Sequence, residues 1–208
     1  MKFLMIRHGE TSWNAEKKIQ GSTDIPLNDA GAAQARALGE QLLGQGTCIA
    51  GIYTSAQIRA RETARILADK LGLKVRVLKG LEEMSLGLWE GLNWDEVAKR
   101  YPEEFGRWKK DRRYVPAPCG ESYQDVLERV VPALRQVARV ESGDVLIVTH
   151  SAVIMSLLSC INDTPFQEMI LRYRTQNCTV VEVEGDVIEA LQYREPSGGQ
   201  GAEMIWIG

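Results

Sequence analysis

Four consecutive apolar residues, Phe3-Leu4-Met5-Ile6, run directly into Arg7-His8-Gly9-Glu10-Thr11. An unbroken apolar run this short suits a strand covered on both faces, and such strands belong to parallel sheets. The glycine marks a place where the backbone turns or something comes close. The pattern of an apolar run meeting an abrupt polar stop recurs three more times. Residues 49–54 lead to Ser55 and Arg59, residues 74–78 to Glu82 and Glu83, and residues 145–149 to His150.

Between these runs the apolar spacing becomes helical. A helix over about 29–43 carries Ala33, Ala37, Leu38 and Leu42 on one face and follows Asn28. The next, over about 55–71, places Ser55 at its cap and Arg59 in its first turns, and Gly72 stops it. Asn93 with Glu96, Pro102 and Ser122 open further helices, the last reaching about residue 140. Residues 152–160 and 165–171 read as helices, 12–26 as loop, and 179–183 with 187–192 as a hairpin turning at Gly185-Asp186. A stretch rich in Gly and Ser over 196–201 reads as a mobile tail. Strand alternating with helix predicts an α/β fold: a mostly parallel, doubly wound sheet of about six strands with helices on both faces. The 208 residues suit one domain, 1–208, with a helical lid over about 92–121.

In a parallel sheet all the strand ends of one sense lie on one edge, and ligands bind there. His8, Arg59, Glu83 and His150 each follow such an end. A lone histidine after a strand is ordinarily structural, but this chain has two histidines and both stand there. Arginine forks match phosphate oxygens. A neutral imidazole is a competent nucleophile, and a carboxyl group with a raised pKa can protonate a leaving oxygen. The set is therefore sufficient for phosphoryl transfer through a phosphohistidine, with no cofactor.

Other chemistries lack their residues. The four cysteines (Cys48, Cys119, Cys160, Cys178) are scattered, so no metal cluster is expected. A net charge of −3 gives no general basic surface for nucleic acid. No apolar run approaches the ~20 residues of a membrane span, and the first run is too short for a signal peptide. The expectation is a cytoplasmic protein with reduced thiols. Its expected partners are a small phosphorylated metabolite and, at most, a second copy of the chain as a homodimer; neither nucleic acid nor membrane is expected.

Arg7-His8-Gly9-Glu10-Thr11 with Trp13-Asn14 resembles the histidine phosphatase superfamily, in its phosphoglycerate mutase-like branch. Gln20-Gly21, Pro26-Leu27 with Gly31, and Ser55 to Ala64 with Arg59 and Thr63 continue the likeness. So do Leu81-Glu82-Glu83 with Gly87, Trp89, Glu90 and Gly91, then Gly120-Glu121-Ser122 and Thr149-His150. The resemblance implies that His8 is the phosphorylated nucleophile and that Arg7, Arg59 and His150 hold the phosphoryl group. It also implies that Asn14, Gln20 and Gly21 line the phosphate side, and that Glu83, not Glu82, is the acid and then the base. Ser151 stands where the family usually has glycine, and its hydroxyl either adds a phosphate contact or crowds the pocket; Glu62 replaces a commoner glutamine and Ala56 a commoner proline.

The resemblance further implies a metal-independent phosphomonoester hydrolase of the broad-specificity or α-ribazole-phosphate type. A phosphoglycerate mutase-type transfer is the alternative, because Arg112 and Arg113, with Lys109 and Lys110, lie in the lid and could hold a second anionic group. A non-catalytic phospho-ligand sensor is the third reading; it would typically have lost a residue of the set.

Overall fold

The computed structural model describes residues 1–192 and 204–205. Among the described residues six strands form one sheet: β1 (Lys2–Arg7), β2 (Gly51–Thr54), β3 (Val75–Leu78), β4 (Val145–Thr149), β5 (Val180–Glu184) and β6 (Met204–Ile205). Their order is β5-β1-β4-β2-β3-β6. The four inner strands are parallel, and the edge strands β5 and β6 run antiparallel to them.

Side chains alternate across the sheet, and the strands use both faces. Phe3 and Met5 of β1, with Val145 and Ile147 of β4, join one apolar cluster. Leu4 and Ile6, with Leu146 and Val148, join the other. Two helices cover the second face: α2 (Asp29–Gly44), capped by Asn28, and α3 (Ile58–Leu71), ended by left-handed Gly72. They follow α1 (Ser12–Ala15) in the chain. The first face takes α6 (Tyr123–Val140) and α7 (Ser151–Ile161). Between β3 and α6 lie α4 (Trp94–Arg100) and α5 (Pro102–Lys110). Then come α8 (Met169–Tyr173) and α9 (Gly185–Ala190).

The structure corrects five sequence readings. On the face expected for α2, Leu38 and Leu42 are buried, but Ala33 and Ala37 are exposed and Gly31, Ala35 and Gly39 take the inner positions. The expected loop at 12–26 opens with α1, because Thr11 and Asn14 close a capping box. The expected hairpin has only its first strand, β5. Residues 185–190 are helical: Ile188 is buried in the core, and Arg135 of α6 donates to the carbonyls of Ile188, Glu189 and Leu191 at the helix end. The helix expected at 165–171 begins only at Met169, after a turn in which Glu168 N–H donates to the Pro165 carbonyl. Finally, Ser55 does not cap α3; Gln57 occupies the cap position. The stretch 196–201 lies outside the described residues.

Candidate active site

The register of the sheet builds the site. Arg7 pairs with Thr149 across β1 and β4, and Thr54 with Val148 across β2 and β4. The residues that follow, His8, His150 and Ser55, therefore leave the sheet side by side. His8 N–H donates to the Thr149 carbonyl at 3.0 Å, and the two imidazoles lie 5.2 Å apart, centre to centre.

A cleft of about 410 Å³ opens at this edge. Of the residues expected from the sequence, Arg7, His8, Asn14, Gln20, Gly21, Arg59, Glu83 and Ser151 line it. His150 does not line it; this residue is fully buried beside His8.

His8 is 2% exposed, and its Nδ1 lies 2.7 Å from the Gly9 carbonyl. A carbonyl only accepts, so Nδ1 carries the proton and Nε2 keeps its lone pair. Burial, and then the charges of Arg59 and Arg7, push the pKa of His8 well below the ordinary imidazole value. Asn177 Nδ2 donates to the His8 carbonyl at 2.8 Å, a contact with no signal in the sequence pattern.

The two arginines are held by backbone. Arg7 Nη1 donates to the Thr175 carbonyl at 2.7 Å. Arg59 donates from Nη1 to Thr23 and from Nη2 to Gly21, both at 2.8 Å. Neutral carbonyls orient a guanidinium without cancelling its charge, and the buried Nε of each arginine has no partner. Gly21 can serve because its φ is +53° and a Cβ there would lie 2.2 Å from Glu90 Oε1. The Glu90 carboxylate fastens this loop, accepting from the backbone N–H and hydroxyl groups of both Ser22 and Thr23. Asn14 spends its amide oxygen on the Thr11 N–H, which leaves its NH₂ as the donor at the cleft.

Glu83 sits at the amino terminus of α7, where the Ala152 N–H donates to its carboxyl at 3.2 Å. Burial raises its pKa, opposed chiefly by Arg59. Its loop is held from two sides. Gln57 bridges Gly21 and Glu83, donating to the first carbonyl and accepting from the second N–H. Arg129 of α6 donates to the carbonyls of Gly80, Glu82 and Glu83 and twice to the Glu121 carboxylate. Glu82 points the other way: its carboxyl accepts from Gly80 N–H and faces Arg129.

The outer wall comes from the segment between β3 and α6, with Trp94, Phe105 and Trp108 joined by Tyr123. Of the basic residues at 109–113, only Arg112 lines the cleft. It stacks on Trp108 at 4.6 Å, and its buried Nε and Nη1 have no partner. Arg113 packs over Phe166 and donates to Gln124, while Lys109 covers Phe105. Among the described residues no group of three or more His, Cys, Asp or Glu could hold a metal ion, and no helix is long and apolar enough to cross a membrane.

Comparison with known proteins places this geometry. Residues 3–191 match the family model described as the histidine phosphatase superfamily, branch 1. The chain is 41% identical over 159 residues to phosphoglycerate mutase-like protein 4 of Arabidopsis thaliana, covering 75% of this chain and 69% of the relative. It is 33% identical to the metal-independent phosphoserine phosphatase of the same plant, covering 75% of this chain and 66% of the relative. In structure it is similar to Bacillus stearothermophilus YhfR (TM-score 0.80, 33% identity, 88% of this chain and 90% of that one). A mycobacterial glucosyl-3-phosphoglycerate phosphatase in complex with VO3 gives a TM-score of 0.77 at 29% identity, over 88% of this chain and 92% of that one. The family match spans all four inner strands, whose ends supply the buried histidines, the arginines and the carboxyl group: the chain belongs to branch 1 of the histidine phosphatase superfamily, with phosphatases and phosphoglycerate mutase-like proteins as its relatives.

Proposed function

We propose that the protein hydrolyses small phosphomonoesters through a phosphohistidine at His8, without a metal ion. The observation that carries this is the contact of His8 Nδ1 with the Gly9 carbonyl, which leaves the lone pair of Nε2 on the buried ring for phosphorus, in a cleft that Arg7 and Arg59 also line. Nε2 attacks phosphorus, and the bond from phosphorus to the alcohol oxygen breaks as Glu83 gives that oxygen its proton. Arg7 and Arg59 hold the phosphoryl oxygens, with Asn14, Gln20 and Ser151 as neighbouring polar groups. Water then attacks phosphorus and loses its proton to the Glu83 carboxylate; the P–N bond breaks and phosphate leaves. Residues 92–121 form the cover of a single domain.

Arg112 bears on the substrate. Its two unpartnered nitrogens, Nε and Nη1, support a second anionic group on the phosphomonoester. Phosphoserine and glucosyl-3-phosphoglycerate, the compounds named for two relatives, each carry a carboxylate. A mutase would use the same arginine. Of the lid cations on which a mutase reading rests, Arg113, Lys109 and Lys110 are not part of the cleft wall, although Lys17, Lys18 and Arg174 are; hydrolysis is supported instead by the phosphatases among the similar proteins. The broad-specificity and α-ribazole-phosphate types remain alternatives within it.

The test is a panel of p-nitrophenyl phosphate, phosphoserine, 3-phosphoglycerate and α-ribazole phosphate, run with and without EDTA. Turnover that survives EDTA, phosphate trapped on His8 after acid quench, and loss of both in His8→Ala are expected. Turnover that needs a divalent metal, or no label on His8, overturns the reading. Tight phosphate binding without turnover would mean a sensor.

A further inference from the structure

Ser55 and His150 are both fully buried, and Ser55 Oγ lies 2.6 Å from His150 Nε2. The other ring nitrogen, Nδ1, is buried with no partner. Buried polar groups without partners are uncommon and need an explanation. Here the imidazole neighbour is His8, so a phosphoryl group on His8 would bring its oxygens to this ring.

A neutral imidazole has one donor and one acceptor, and the Ser55 contact admits both arrangements. If Nε2 held the hydrogen and donated to Oγ, Nδ1 would turn a lone pair toward an anion. If the hydroxyl donates to Nε2, the hydrogen sits on Nδ1 and the orphaned atom becomes a donor. Only the second suits a ring beside a phosphoryl group. We propose that Ser55 is a positioning residue: its hydroxyl donates to Nε2 and so fixes His150 as the Nδ1–H tautomer, a neutral donor reserved for the phosphoryl oxygens. The proposal rests on the phosphohistidine reading for its purpose, though not for the tautomer.

Neutrality has independent support. Burial comes first, then Arg59, His8, Arg129 and Arg7, and together they hold the His150 pKa well below the ordinary value. A group that cannot readily take a second proton has to bring its single hydrogen to the correct nitrogen. The fold also explains the placement. Ser55 stands directly after β2 and His150 directly after β4, the adjacent parallel strand, in register at Thr54 and Val148.

The chain has two histidines, which makes the test direct. Long-range ¹H–¹⁵N correlation of ¹⁵N-histidine-labelled protein, without substrate, reads the tautomer of each ring, and His8→Gln assigns them. Both rings are expected as Nδ1–H. In Ser55→Ala the His150 pattern should shift toward Nε2–H. Inorganic phosphate should bind roughly 10–100-fold more weakly, the size of one lost hydrogen bond to a charged group. Ser55→Thr, which keeps the hydroxyl, should restore both. An Nε2–H or averaged His150 in the wild type overturns the proposal, as does a Ser55→Ala protein with unchanged tautomer and phosphate affinity. Should Ser55→Ala not fold, the wild-type spectrum decides alone. Nδ1–H on His150 with no label ever found on His8 would sink the phosphohistidine reading while upholding this assignment.

Discussion

The imidazoles of His8 and His150 lie 5.2 Å apart because Arg7 and Thr149 are register partners in adjacent parallel strands. Two residues 142 positions apart in sequence thus meet at the exit of the sheet. Burial, then the charge of Arg59, and then the nearness of His8 favour the uncharged form of His150.

That neutrality makes stability depend on pH. Both folded-state pKa values are depressed, so below about 6.5, the ordinary histidine value, the unfolded chain takes up protons that the fold refuses. Stability should fall on acidification by up to about 1.4 kcal/mol per pH unit for each histidine. Glu83, with its raised value, works the opposite way: its contribution is present at low pH and is lost as pH rises from about 4.5 through the folded value. Urea melts between pH 5 and 7.5 measure the slope. His150→Asn should flatten it, and an unchanged slope would show that this ring takes up protons in the fold as readily as in the unfolded chain.

Activity should follow a bell in kcat/KM, with an acidic to neutral optimum. The acid limb reports protonation of His8 and the alkaline limb deprotonation of Glu83. Glu83→Gln should cost ~10²–10⁴ in kcat for alkyl phosphates and much less for p-nitrophenyl phosphate, whose leaving group hardly needs the proton. Glu82→Gln should be nearly silent, because its carboxyl is turned to Gly80 and Arg129. A larger loss at Glu82 would mean that the acid is the other carboxylate.

Arg129 does not line the cleft, yet it holds the carbonyls of Gly80, Glu82 and Glu83. Lysine cannot reproduce a planar fork that spans three carbonyls and a carboxylate. Arg129→Lys should lower kcat for alkyl phosphates roughly 10–100-fold, the scale expected when a reacting group is misplaced. Turnover of p-nitrophenyl phosphate should change little. An equal loss on both substrates would indicate general damage to the fold instead of displacement of Glu83.

Two glycines separate backbone strain from site geometry. Gly21 and Gly72 both have positive φ, but a Cβ at Gly72 meets nothing within 4 Å whereas one at Gly21 meets Glu90. Each alanine substitution should cost ~1–2 kcal/mol for the left-handed backbone, read as a fall in Tm. Gly21→Ala should in addition reduce kcat, because the loop it displaces supplies the carbonyls that hold Arg59. Full activity in Gly21→Ala would show that this clamp is dispensable.

The sequence alone determined the α/β class, the four inner strands and the polar residue after each. Period and burial are local properties: an apolar run, a cap such as Asn28 or Ser122, and a stop such as Gly72 are all written in neighbouring residues. Parallel strands then forced His8, Arg59, Glu83 and His150 to one edge, and the structure brings them there. Part of what the sequence misjudged was decided by partners far along the chain. Residues 187–192 read as a strand after a turn at Gly185-Asp186, but 185–190 are helical and Arg135 satisfies carbonyls at the end of that helix. Ser55 has the chemistry of a cap, but His150 lies 2.6 Å away and takes the hydroxyl. Arg112 and Arg113 are adjacent and alike in sequence, and packing against Trp108 and Phe166 sends one to the cleft and the other away. Hydrogen-bonding side chains are interchangeable in a one-dimensional pattern; which partner each receives is fixed only when the tertiary fold excludes water and leaves one within reach.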